Sequence, residues 1–164
     1  MDKQLDFYEI DAEYISYLQT FEPKVPHIDY SETSGHDRFM CGVVLSVNGY
    51  DYFAPISSFA VQQRTNIIIK NEKDKPISSI RFSFMIPIPS DVATRKSIKS
   101  EPSAEYRRLL YLELRYCRKN TKTIYRMAKN IHSTVVNGKD PLMAKNCCDF
   151  SKLELACANY NNRT

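Results

Sequence analysis

Apolar positions along the chain change period several times, and each change marks an element. Tyr14, Ile15 and Leu18 recur at helical spacing behind Asp11, a residue type that caps helix N-termini, so residues 11–18 predict a short helix. Pro23, Pro26 and Gly35 then interrupt the pattern, and 21–37 reads as a long loop of the kind that is functional or disordered. Residues 39–47 and 50–56 are strand-like, and Asn48-Gly49 between them is a two-residue hairpin signal, because a type I′ turn needs positive φ at both central positions. Residues 65–69 predict a third strand and 71–75 a polar turn. Residues 79–88 predict a fourth strand, with Ile80, Phe82 and Phe84 alternating towards a core.

The period then lengthens. After a polar, basic surface connection over 91–102, two helices are expected. Tyr106, Leu109, Leu110, Leu114 and Cys117 form the apolar stripe of the first. Ile124, Met127, Ala128, Ile131 and Val135 form that of the second, which Gly138 closes. A last short helix starts near Asp149 and runs through Leu153 and Leu155. Strands followed by helices predict an α+β fold, a small and strongly bent antiparallel sheet with helices packed on it. At 164 residues the chain is expected to be a single domain, 1–164.

Charge changes the picture more than overall composition does. Residues 1–60 hold ten acids against three Lys/Arg, and the remainder nine acids against twenty. This asymmetry fits a basic face for a polyanion as well as an ordinary mixed surface. The charge concentrates on the first long helix, where Arg107, Tyr111, Arg115 and Arg118 recur at spacings of three and four opposite the apolar stripe. Guanidinium groups fork onto phosphates and a tyrosine stacks on a base, so nucleic acid is one reading of this strip; a solvated helix face is the other. Five cysteines without CxxC spacing read as reduced thiols of a cytoplasmic protein, and no apolar run approaches the length of a membrane span.

The catalytic inventory is short. His27, His36 and His132 are the only histidines, and no nucleotide-binding loop, serine-protease order or metal-ligand spacing is present, so no metal or other cofactor is expected. RNA cleavage asks for little: the 2′-hydroxyl is its own nucleophile, and a protein need only align it, stabilise the phosphorane and move protons. Two segments carry suitable groups. The long loop holds Lys24, Tyr30, His36 and Arg38. The end of the second hairpin strand holds Ser57 and Ser58, followed by Gln62, Gln63 and Arg64. The hairpin returns Arg38 and Ser57 to the same end of the sheet. Paired serines after a strand are nonetheless more often turn formers than catalysts, and these residues alone leave a ribonuclease as one of several readings.

Ordered blocks narrow it. Phe7-Tyr8, Tyr14-Ile15-Ser16-Tyr17-Leu18 and Lys24-Val25-Pro26 resemble the start of the ToxN/AbiQ family, endoribonuclease toxins of type III toxin–antitoxin systems. The resemblance continues through Gly42-Val43-Val44-Leu45, Gly49, Tyr52-Phe53-Ala54-Pro55-Ile56-Ser57-Ser58 and Phe84-Met85-Ile86-Pro87-Ile88. It ends with Tyr106-Arg107-Arg108-Leu109-Leu110-Tyr111 and Phe150-Ser151-Lys152-Leu153-Glu154, and within the family the chain looks closest to the CptN branch. The resemblance implies a barrel-like sheet similar to the Kid/MazF toxins and metal-independent, sequence-specific cleavage of single-stranded RNA, often adenine-rich. It implies a pseudoknot RNA antitoxin that the toxin cuts from a repeat precursor, a ring-like toxin–RNA assembly, and roles in plasmid maintenance and phage abortive infection.

The family's catalytic serine falls on Ser58, the hydroxyl residue before it on Ser57, and its basic residue on Arg38, where lysine is common. The loop tyrosine falls approximately on Tyr30, the helix tyrosine on Tyr14. One position departs: where the family often has lysine two places after the serine, this chain has Ala60, leaving the charge to Arg64 or Arg38, with Gln62 or Gln63 for a hydrogen bond and His36 or Tyr30 for a proton. The rival readings are a non-catalytic RNA-binding module and a MazF-like toxin restrained by a protein antitoxin.

Overall fold

The computed structural model describes residues 4–27 and 39–162. Its centre is the hairpin of β2 (Met40–Val47) and β3 (Tyr50–Ser57). Asn48 and Gly49 join them with φ of 54° and 82°, as the turn chemistry demands. The register runs from Val47 opposite Tyr50 to Met40 opposite Pro55, with an irregularity between Gly42 and Leu45 that inserts two extra residues in β2. Gly42 is required there, because a Cβ would run into the ring of Phe53.

Around the hairpin, β1 (Asp6–Ile10) pairs with β2, and β7 (Ala93–Arg95) with β1. On the other side β5 (Pro76–Arg81) pairs with β3, and β4 (Asn66–Lys70) with β5. With β6 (Ile86–Pro87) also on β3, this makes a seven-stranded, wholly antiparallel sheet in the order β4-β5-β3-β2-β1-β7. Its edges, β4 and β7, do not pair, so the sheet is open and the closed barrel is not what forms among the described residues.

Three sequence expectations change. The strand over 79–88 is broken: Ile56 pairs with Ile80 but Tyr52 with Pro87, and the three residues gained in register are taken up by a 3-10 turn at Phe82–Phe84. That turn drops Phe82 fully into the core. The connection over 91–102 contributes β7 and buries Lys96 and Ile98. The Lys96 ammonium lies 2.8 Å from Glu101 and 3.2 Å from Glu9, which satisfies a charge that could not otherwise be buried. Strand β1 was not marked by alternation, because Asp6 is buried against Arg95 at 2.6 Å.

Among the described residues five helices cover the sheet: α1 (Ala12–Gln19), α2 (Ala104–Lys119), α3 (Thr121–Val136), α4 (Pro141–Asn146) and α5 (Phe150–Asn159). In α1 the expected face is buried, although Asp11 makes no side-chain cap. Asp140 caps α4 by accepting the Met143 N–H, and Pro141 opens it where a missing N–H costs nothing. One expected stripe residue, Leu109, faces solvent. On α2 the place of Leu109 is taken by Glu113, whose carboxylate accepts a 2.5 Å hydrogen bond from Ser78 of β5. No described helix is long and apolar enough to cross a membrane.

Candidate nucleic-acid interface and serine turn

The sites are built from two separate clusters. The first lies at the end of β3. Ser57 pairs with Ser79 of β5, and the chain then turns back on itself: the Phe59 N–H donates to Ser57 Oγ at 3.1 Å, and the Ser79 hydroxyl donates to the Phe59 carbonyl at 2.5 Å. Ser57 Oγ is thus used as an acceptor, which leaves its O–H to donate elsewhere. Ser58, at the apex, is exposed and has no hydrogen bond among the described residues. Beyond the turn, Gln62 is not free. Its amide bonds the Gln63 and Asn66 carbonyls and Asn66 Oδ1, while the Gln63 N–H donates to the same Asn66 oxygen, which shapes the loop into β4. Arg64 is exposed but forms a 2.8 Å ion pair with Asp140. Asp140 is held below the usual carboxylate range, first by the Met143 N–H and then by Arg64.

Tyr30, His36 and Arg38 lie outside the described residues. The start of β2 nevertheless faces the end of β3, Met40 opposite Pro55, so Phe39 enters the sheet at the end where the serines stand. Tyr14 is corrected. It is fully buried, its hydroxyl donates to the Pro87 carbonyl at 2.5 Å, and burial pushes its ionisation far up, so it is a core tyrosine with no surface to offer an RNA strand. Lys24 is exposed but donates to the Cys147 carbonyl at 3.0 Å, so it pins the loop start to the body.

The second cluster is a groove along α2 of roughly 830 Å³, lined by Arg107, Arg108, Tyr111, Arg115, Arg118 and Lys119 together with Glu72. The four residues chosen from helical spacing all line it. Their freedom differs. Arg107 donates to the Glu101 and Pro102 carbonyls, and Arg118 to the Leu5 carbonyl beside Asp6. Arg115 makes only a 3.4 Å contact with Glu72. Tyr111 is half exposed, its ring available for stacking. Arg108 and Lys119 join the lining beyond the three-and-four spacing, each one helical step from Arg107 and Arg118. Ser57, Ser58 and Gln62–Arg64 do not line this groove.

The described residues hold no group of three or more His, Cys, Asp or Glu side chains arranged for a metal. All five cysteines are free thiols, and burial pushes Cys147 up to about 11, so it is a packing residue and not a nucleophile.

Comparison with known proteins follows the same outline. Endoribonuclease ToxN of Bacillus thuringiensis subsp. kurstaki is 28% identical over 167 residues, covering 96% of this chain and 84% of the relative. Endoribonuclease ToxN of Pectobacterium atrosepticum is 30% identical over 159 residues, covering 92% and 90%. A solved structure from work on selective toxin inhibition by a non-coding RNA pseudoknot superposes with a TM-score of 0.88 at 26% identity, covering 98% of this chain and 100% of that one. The family model for "Toxin ToxN, type III toxin-antitoxin system" matches residues 6–158, and the chain therefore belongs to the ToxN family of type III toxin–antitoxin toxins.

Proposed function

We propose that the chain is an endoribonuclease toxin that cuts single-stranded RNA at specific sequences and is restrained by a folded RNA antitoxin. The observation that carries the reading is the hydrogen-bonded serine turn at the end of β3 in a chain of this family, two of whose similar relatives are named endoribonucleases. The 2′-hydroxyl attacks the adjacent phosphate and leaves a 2′,3′-cyclic phosphate and a 5′-hydroxyl. Because the nucleophile belongs to the substrate, the step needs alignment and charge stabilisation and makes no demand for a metal. Ser58 and the O–H of Ser57 donate to the phosphate oxygens. Arg38 stabilises the phosphorane, and His36 or Tyr30 moves the proton. The α2 groove takes the backbone of a pseudoknot RNA, Arg108, Arg115 and Lys119 on phosphates and Tyr111 on a base, in a ring-like toxin–RNA assembly. The bent sheet, whose β3 changes partner across a three-residue turn, is read as an open counterpart of the Kid/MazF barrel.

The test uses the repeat RNA from the chain's own locus, incubated with purified protein in chelator. Discrete fragments ending in cyclic phosphate are expected, and S58A is expected to leave the RNA whole while retaining the wild-type melting transition. Intact RNA with the wild type would leave an RNA-binding module. Cleavage by S58A at the wild-type rate would remove the serine from the mechanism.

A further inference from the structure

Position 60 carries no charge, and the arginine nearest in sequence, Arg64, is committed to Asp140. A different arginine stands at the serine turn. Arg81 ends β5, two residues beyond Ser79, and residues two apart on a strand share a face. Ser79 is the direct partner of Ser57, so Ser57, Ser79 and Arg81 lie on one face of the sheet. The turn at Ser58 folds Phe59 back over this face, and the Arg81 guanidinium packs on two rings, 4.6 Å from the centre of Phe59 and 4.7 Å from that of Phe84.

The packing is unusual in what it omits. Arg81 has no carboxylate partner among the described residues, its Nε is buried with no acceptor, and its one hydrogen bond is a marginal 3.5 Å contact from Nη2 to Gln63. Burial pulls its pKa down, and among the described residues only the two rings, not a carboxylate, offset that cost. Both rings lie against the guanidinium, and its terminal Nη groups carry only the Gln63 contact among the described residues. The paired Nη groups match the two oxygens of a phosphodiester, and the two rings restrict the guanidinium's orientation beforehand.

We infer that Arg81 binds a phosphate of the RNA strand at the serine turn and supplies there the positive charge that Ala60 lacks. This rests on the proposed reading of Ser57 and Ser58. It assigns the contact to a residue that no sequence motif marked.

The variants are R81L, which keeps the aromatic packing and removes the charge, R81K, and the double variant A60K/R81L. Cleavage of the repeat RNA by R81L is expected to fall about 100-fold in single turnover, the loss typical of one transition-state donor. R81K should fall less, and A60K/R81L should regain at least a tenfold part of the loss. Equilibrium binding to a 2′-O-methyl copy of the same RNA, which cannot be cut, gives a second readout. The slope of log K against log salt should shrink by about 0.7 in R81L, one phosphate contact on a single strand. R81L should melt at or above the wild-type temperature, since no unpaired donor remains buried. An unchanged binding slope, wild-type cleavage by R81L, or an A60K/R81L as slow as R81L would overturn the inference. Failure of the wild type to cut, or full activity in S58A, overturns the proposed function instead, while the binding slope still decides the role of Arg81.

Discussion

Glu113 makes stability fall as pH rises. Its carboxyl lies on the buried face of α2 with 3% of its surface exposed, and its one partner is the Ser78 hydroxyl. Burial raises its pKa from 4.5 to about 7, and the hydrogen bond from Ser78 only partly opposes this. Because the folded pKa lies above the unfolded one, the stabilisation is complete below about pH 4.5 and is lost as pH rises through 7. With about 1.4 kcal/mol per tenfold change in proton affinity, the loss between pH 5 and pH 8 is about 2.5 kcal/mol. For a chain of this length that is a fall in melting temperature of roughly 5–10 °C. The assay is urea denaturation of wild type and E113Q at intervals across that range. Glutamine never ionises, so the difference between the two curves should grow by about 2.5 kcal/mol from pH 5 to pH 8 in favour of E113Q. Any constant offset from the buried amide drops out of the comparison. Parallel pH profiles would show that Glu113 does not ionise alone in the core, and the reasoning would be refuted.

Three further outcomes follow from the geometry. G42A forces a methyl into the Phe53 ring, and overpacking of this kind should cost roughly 1–3 kcal/mol in denaturation, or more if the irregular stretch of β2 rearranges. Y52F removes the hydroxyl that donates to Glu154 at 2.6 Å, beside His132 at 2.8 Å; urea denaturation should show a loss of about 1–2 kcal/mol, because the carboxylate keeps only one partner. Y111A should weaken binding of the antitoxin RNA by about 1–3 kcal/mol in a filter-binding assay without altering the melting temperature, since the ring is half exposed on the groove.

Local rules reach far in this chain where the structure obeys one periodicity at a time. The Asn48-Gly49 hairpin, the buried face of α1, the Gly138 stop after α3 and the basic strip on α2 all stand where spacing and turn chemistry put them. Even α4, not anticipated, carried its signal in Asp140-Pro141. Legibility ends where an element exists only because of its neighbour. Strand β7 is three residues long and is a strand because β1 offers a free edge, and the strand over 79–88 breaks because β3 binds its two halves out of step by three residues.

The same division runs through the candidate site. The sequence by itself determined which residues are candidates for the proposed chemistry: Ser57 and Ser58 after a strand, and arginines spaced along a helix. Tertiary structure decided which of them are free to use it. Tyr14 is spent in the core, Arg64 on Asp140 and Lys24 on a carbonyl, while Arg81, an ordinary strand residue in the sequence, packs on two rings with no carboxylate partner among the described residues. The physical reason is that a side chain's availability depends on its desolvation and its partners, and both are set by residues far away along the chain.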